Sequence, residues 1–309
     1  MESKGIVTKS TGSWYNVTLE DGRKIESRIK GKFRMDGIQT TNPVAVGDHV
    51  LIRFAEDDAI IDKILPRKNY IIRKSVNLSH KAHIIAANMD QALLIVTVNF
   101  PPTSTGFIDR FLVTAEGYHI PVHLVFNKVD LCNDADIERM AELMALYENI
   151  GYPCHAISAT NKNKVTKLKD IMKGKVTLIS GHSGVGKSTL VNSLDEKLNV
   201  RIGEISESHR KGQHTTTFAE MHELSFGAHI IDTPGIKGFG VIDFDKDELG
   251  RYFPEMREKL PHCKFYNCNH VNEPGCAVKQ ALAKGEIAPS RYESYLNILE
   301  DFDEEKTYR

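Results

Sequence analysis

The first stretches of the chain alternate apolar and polar residues: Trp14-Tyr-Asn-Val-Thr-Leu19, Lys24-Ile-Glu-Ser-Arg-Ile29 and His49-Val-Leu-Ile-Arg-Phe54, parted by Asp21-Gly22 and Gly47-Asp48. A period of two puts every second side chain on one face of a strand, and the glycine-containing pairs supply the tight turns between strands. Five or so such strands between Gly5 and Leu65 predict a small closed barrel of the OB type, a shape that can hold an oligonucleotide on one face or serve as a plain interaction module.

From Ala87 the pattern changes to short, wholly apolar runs: Ala92–Val98, Val122–Phe126, Pro153–Ile157, Val176–Ile179 and His229–Ile231. Runs of this kind suit strands covered on both faces. Between them Phe107–Tyr118 and Ala135–Asn149 carry apolar residues at helical spacing. Strand and helix in alternation predict a parallel α/β sheet whose ligands lie beyond the carboxyl ends of its strands. The last stretch, from Phe253, gathers three cysteines and ends in amphipathic helices, the last over Pro289–Phe302. The expected division is a barrel at 1–68, a nucleotide domain at 69–245 and a zinc-binding helical domain at 246–309.

Composition adds limits. With 309 residues, 41% hydrophobic and 26% charged, the chain fits two or three ordinary globular units. No signal-peptide pattern and no run of about 18 apolar residues is present, so the expectation is a cytoplasmic protein with no membrane contact. A net charge of -1 excludes a uniformly basic nucleic-acid coat. The distribution is uneven, however. Arg23, Lys24, Arg28, Lys30, Lys32 and Arg34 cluster around Glu26 on the barrel, Arg67, Lys68, Arg73, Lys74 and Lys81 follow, and Glu300, Asp301, Asp303, Glu304 and Glu305 form an acidic tail. Such a run is a solvated face unless the fold gives it a partner, and a barrel able to hold RNA does so. Cys132 and Cys154 stand alone and read as inert thiols.

The strongest chemical signal is Gly181-His182-Ser183-Gly184-Val185-Gly186-Lys187-Ser188, followed by Thr189 and placed between a buried strand and a helix. The glycines let backbone N–H groups turn inward around phosphates, and the helix N-terminus adds partial positive charge. Lys187 is expected on the β and γ oxygens and Ser188 on Mg²⁺. Asn127-Lys128-Val129-Asp130 ends another apolar strand. The Asp130 carboxylate can accept from N1–H and the exocyclic amine of guanine, a donor pair that adenine lacks. Asn127 can bond the opposite edge of the base and the Lys128 stem can cover its face. Ser158-Ala159 ends the next strand and can present an N–H to guanine O6. Alone, either segment would pass for a polar loop capping a strand.

Asp232-Thr-Pro-Gly235 closes the strand at His229–Ile231. Asp232 can hold Mg²⁺ through water, and the Gly235 N–H can meet the γ-phosphate. Gly212-Gln-His-Thr-Thr-Thr217 offers a further magnesium ligand, Thr216. Many small GTPases place a glutamine after the glycine to orient water, but here the residue is Ile236. His214 or a partner must then do this, and slow intrinsic hydrolysis is expected. In chain order the base loop and the Ser-Ala loop precede the phosphate loop. Loop positions depend on strand order in space, so the arrangement reads as a circular permutation of a GTPase. The permuted chain runs through 236–241 directly into the third unit.

That unit carries Cys263, Cys268, His270 and Cys276, a closed set of three thiolates and one imidazole suited to a structural zinc. A domain this small needs such a staple. The barrel, NKVD, GHSGVGKS, GQHTTT, DTPGIKGFG and the C-x4-C-x-H-x5-C cluster together resemble the circularly permuted, ribosome small subunit-dependent GTPases of the RsgA (YjeQ) family, over essentially the whole chain. The resemblance implies a GTP/GDP- and Mg²⁺-dependent hydrolase that assists late maturation of the small (30S) ribosomal subunit and is stimulated by it. It also implies contact with 16S rRNA through the barrel and zinc domains, nucleotide sites at Asn127–Asp130 and Gly181–Thr189, and zinc on the four residues above. A monomer is expected. Two other classes compete: an RNA-binding nucleotide switch with incidental turnover, and a metabolic P-loop kinase or ATPase, which Asp130 disfavours.

Overall fold

The computed structural model describes residues 2–11, 14–29, 43–55, 58–74, 82–198, 219–232 and 245–307. The alternating N-terminal runs become β1 (Glu2–Ser10), β2 (Tyr15–Leu19), β3 (Lys24–Ile29), β4 (His49–Ala55) and β5 (Asp58–Ile64). They are ordered β1-β2-β3-β5-β4, and a β1–β4 pairing closes the barrel. Only β3 and β5 run parallel within it. Val7, Tyr15, Val17, Leu19, Val50, Ile52 and Ile61 fill the interior, the inward half of each alternation.

A hairpin that the sequence patterns leave unassigned follows, β6 (Tyr70–Lys74) with β7 (Ala82–Ala87). It fastens the barrel to the next unit through a bridge between Val46 and Ala86. The approach is close. Gly47 has φ +90, and a Cβ there would lie 2.0 Å from the Ala87 carbonyl oxygen, so only glycine fits. The adjacent Asp48 carboxylate is fully buried and accepts from the Arg67 guanidinium at 2.6 Å and from the Ala45 N–H at 2.8 Å.

The apolar runs form β8 (Gln91–Val96), β9 (Val122–Phe126), β10 (Cys154–Ala156), β11 (Val176–Ser180) and β13 (His229–Asp232), all parallel in the order β10-β9-β8-β11-β13. β12 (Glu220–Glu223) adds an antiparallel strand beside β13 and meets β1 at Lys9 and Glu220, so barrel and domain share one eleven-stranded sheet. β8 ends two residues earlier than its hydrophobicity suggests, because the Thr97 hydroxyl turns to donate to the Pro101 carbonyl. Helices α1 (Thr105–Gly117) and α2 (Asp134–Ile150) bear the predicted spacing, and α3 (Lys162–Met172) and α4 (Lys187–Leu194) complete the domain. An Asn133 capping box starts α2, and Gly151 at φ 109 ends it. One core packs α1 and α2 against the sheet; a second packs α3 and α4 on the other face.

The C-terminal unit contains α5 (Pro254–Arg257), α6 (Ala277–Ala283) and α7 (Pro289–Thr307), the last extending five residues beyond the expected Phe302. It packs on α1, with Val113 of α1 buried among Leu249, Phe253, Met256, Tyr295 and Ile298. At this seam Arg291 is completely buried. It donates to Asp109 of α1 at 2.8 Å and to Glu255 at 2.7 and 3.1 Å, and lies 4.6 Å over the Phe253 ring. Tyr147 of α2 also donates to Asp109, at 2.8 Å. Burial works against the Arg291 cation, but Asp109 and Glu255 more than offset it and hold its pKa above the ordinary value. Truncating one partner strands the others in a dry seam. Arg291→Ala is expected to cost about 3–5 kcal/mol in urea unfolding, whereas Asp109→Asn combined with Arg291→Met is expected to recover much of that loss.

Candidate functional site: a guanine nucleotide cleft and a Cys3His cluster

The phosphate-loop strand β11 lies between β8 and β13 in the parallel sheet, and its loop passes into α4 at Lys187. Backbone geometry shows why glycine is required. Gly181 has φ +147, and a Cβ there would sit 2.4 Å from the Ile95 carbonyl oxygen; at Gly186, with φ +95, it would sit 2.5 Å from Asn127 Nδ2. Val185 is fully buried beneath the loop, and Ser188 is buried at the start of α4. Lys187 Nζ donates to the carbonyls of Gly181 and His182, both at 2.7 Å, which holds the ammonium across the mouth of the loop. Thr189 follows on the first turn of α4, half-buried.

The base-reading loop is bonded directly to this phosphate loop. Asn127, at the end of β9, is 3% exposed. Its Nδ2 donates to the Val185 carbonyl at 2.8 Å, and its Oδ1 accepts from the Ala159 N–H at 2.9 Å. One side-chain amide therefore joins three segments predicted to surround a single nucleotide. Lys128, left-handed at φ 66, donates through Nζ to the carbonyls of Gly184 and Phe100, both at 2.6 Å. Asp130 stands exposed on the 3-10 turn Val129–Leu131. Ser158 and Ala159 are buried, and the Ser158 hydroxyl pairs with that of Thr160 at 2.7 Å.

Two features of the site left no trace in the motifs. The Phe107 ring of α1 lies against the His182 imidazole, with centroids 3.7 Å apart. Burial there and the nearby Lys187 charge keep His182 below its ordinary pKa, so the ring is neutral at physiological pH. The other is the anchoring of Lys128 on the Phe100 carbonyl, next to Pro101, whose ring would lie 3.3 Å from a Cβ at Gly184. Both join residues far apart in the chain, which local periodicity does not report. Of the remaining predicted residues, Asp232 ends β13, beside β11, while His214, Thr216 and Gly235 lie outside the described residues.

Cys263, Cys268, His270 and Cys276 converge as the spacing predicted, their ligating atoms all within 4.8 Å of one another. His270 Nδ1 lies 3.3 Å from the Cys276 sulfur and 3.8 Å from that of Cys263, separations that fit ligands around one tetrahedral zinc. The backbone N–H groups of Ala277 and Lys279 donate at 3.4 Å to the sulfurs of Cys263 and Cys276, a stabilisation suited to thiolates. The loop between the first two cysteines leaves Tyr266 almost wholly in water. His123 and His155 form a second close pair, 3.0 Å apart on β9 and β10. Burial pushes His123 down to about 4, so that pair carries no charge near neutrality.

Loss of the Asn127 amide removes two buried hydrogen bonds between the loops, together about 2 kcal/mol. Asn127→Ala is therefore expected to raise the Kd for GDP roughly 30-fold in calorimetric titration, with a smaller loss from Lys128→Met.

The chain matches the family model described as RsgA GTPase over residues 64–242 and that described as RsgA N-terminal domain over residues 4–61. It is 57% identical over 310 residues to the small ribosomal subunit biogenesis GTPase RsgA of Christiangramia forsetii, covering 99% of this chain and 98% of the relative. Identity to the protein of the same name from Phocaeicola vulgatus is 56% over 304 residues, with 98% of each covered. Among solved structures, YjeQ from Thermotoga maritima superposes with a TM-score of 0.78 at 35% identity over 97% of this chain and 98% of that one. YloQ, described as a circularly permuted GTPase, superposes at 0.76 with 29% identity over 99% and 96%. With base loop, phosphate loop and barrel in the positions that this likeness requires, the chain belongs to the RsgA family of circularly permuted GTPases.

Proposed function

We propose that this GTPase binds the small ribosomal subunit late in its maturation and hydrolyses GTP to GDP and phosphate, with the subunit accelerating the reaction. The observation that carries the nucleotide half of this reading is the Asn127 amide, bonded to Val185 of the phosphate loop and to Ala159. The ribosomal half is supported by full-length relatives named small ribosomal subunit biogenesis GTPases. The assignment extends to 16S rRNA as the surface contacted by the barrel and the C-terminal unit, to a monomeric state and to the cytoplasm. Among the described residues no helix is long and apolar enough to cross a membrane. The working units are 1–68, 69–245 and 246–309.

Within the cleft each residue has a distinct task. Asp130 selects guanine by accepting from its N1–H and amine, with Asn127, Lys128, Val129, Ser158 and Ala159 framing the base. Gly181 to Gly186 present backbone N–H groups to the phosphates, and Lys187 balances their charge. Ser188 and Thr216, with Asp232 through water, would hold Mg²⁺, which would neutralise charge on the β and γ oxygens. Gly235 offers its N–H to the γ-phosphate. With Ile236 in place of a water-orienting glutamine, His214 is the candidate for that task. Cys263, Cys268, His270 and Cys276 would hold one Zn²⁺ as a structural crosslink, their four ligand atoms filling a tetrahedral set.

Purified small subunits are expected to raise GTP hydrolysis more than tenfold. Lys187→Ala and His214→Ala should both lose the stimulated rate, and only Lys187→Ala should also lose most nucleotide affinity. Unchanged turnover on adding subunits would remove the ribosomal assignment. Elemental analysis should find one zinc per chain. Its removal by a strong chelator should unfold the C-terminal unit, read as loss of amide protection over 246–307, while GDP binding by the nucleotide domain persists.

A further inference from the structure

The two halves of the phosphate loop are held in different ways. Val185 is buried, its carbonyl accepts from Asn127 and the Gly184 carbonyl accepts from Lys128, so the half that runs into α4 is fixed by the base-reading loop. The first half is otherwise placed. His182 and Ser183 are exposed and stand between Gly181 at φ +147 and Gly184 at φ +84. Glycine offers the backbone least resistance to rotation, so a segment flanked by two of them keeps its shape only if something outside it takes hold. The Phe107 ring does so, 3.7 Å from the His182 imidazole between centroids, with the ring planes 31° apart.

Phe107 is itself firmly seated. It lies in the first turn of α1, where its N–H donates to the hydroxyl of the N-cap residue Ser104 at 3.3 Å, and its ring is half-buried against the core that α1 shares with the sheet. Because His182 is neutral near physiological pH, the contact is a stack of two uncharged rings, which favours an offset face-to-face geometry of this kind. The stack steadies the His182 peptide. The carbonyl of that peptide and the carbonyl of Gly181 both accept from Lys187 Nζ at 2.7 Å. Rotation of the peptide would take one of the two acceptors away from the ammonium and let it wander.

We propose that Phe107 is a positioning residue for phosphate binding: by stacking on His182 it fixes the first peptides of the loop and, through their carbonyls, the Lys187 ammonium. This rests on the guanine nucleotide reading of the cleft and adds to it a residue that lies outside every nucleotide motif. Phe107 acts only through the loop, so its influence reaches ligands that engage Lys187, which are those with a β-phosphate. A nucleoside monophosphate, held by its base and its α-phosphate, is indifferent to it.

The full-length protein would be titrated with GDP by calorimetry, and GMP affinity measured by displacement of a fluorescent GDP. Phe107→Leu keeps an apolar side chain against the core but removes the ring. It is expected to weaken GDP binding about 2- to 12-fold, the range of one aromatic pair, and to leave GMP binding unchanged. Phe107→Tyr, which retains the ring, should bind GDP as the wild type does. His182→Ala should show the same loss as Phe107→Leu, and the double variant should lose no more than either alone, since both changes remove one contact. Equal GDP affinity in wild type and His182→Ala would overturn the proposal, even where Phe107→Leu does not fold, because His182 lies on an exposed loop. So would a parallel loss of GDP and GMP affinity, or strict additivity of the two substitutions. A nucleotide control separates the two failures. If the wild type binds ADP as tightly as GDP, the guanine reading of the cleft fails; if it selects GDP while Phe107→Leu binds it equally well, the positioning role alone is wrong.

Discussion

A single buried amide holds the nucleotide site together. The side chain of Asn127 spends an N–H on the carbonyl of Val185 and its oxygen on the N–H of Ala159, so three loops from three parts of the chain share one rigid centre. In a dry location such bonds are costly to leave unmade, which makes the grouping cooperative: each loop has a low-energy position only when the other two are present. A reordered chain keeps its function for this reason. The sheet fixes where the strands end, and the amide fixes how their loops meet; neither depends on which loop the ribosome synthesises first.

The same constraint explains the glycines. Gly186 lacks a side chain because the Asn127 amide occupies the space that a Cβ would take, and Gly181 lacks one because the neighbouring strand passes beneath it. The motif is thus a record of close packing as well as of phosphate geometry. Lys128 reinforces the arrangement from outside by joining the Gly184 and Phe100 carbonyls, which leaves Asp130, the residue proposed to discriminate the base, exposed on a short turn.

Much of this was legible from residue order. Barrel strands two to four, the parallel strands and the two helices beside them followed from hydrophobic period, because each buries one face or both against a continuous core. The convergence of the Cys3His cluster followed from ligand chemistry, since three thiols and an imidazole within fourteen residues have few other uses. What escaped was set by distant contacts. The β6–β7 hairpin has no marked alternation and is held by the close approach of Gly47 to Ala87. Helix α3, built on KNKVTKLKDIM, is rich in lysine and is fixed by Val165, Leu168 and Met172 in the second core. Arg291 resembled any surface arginine on an amphipathic helix, and nothing near it in sequence announces that Asp109 lies against it.

Helix α1 has a place in the architecture that none of the nucleotide motifs announces. Its first turn carries Phe107, stacked on His182 of the phosphate loop; its next residues, Asp109 and Arg110, pair with Arg291 and Asp301, and Glu116 near its end pairs with Arg257. One rod thus bears on the phosphate loop at one end and on the C-terminal unit along its length. That helix is a stiff strut between the phosphate loop and the C-terminal unit, so a displacement of His182 against Phe107 would be carried to the Arg291 seam.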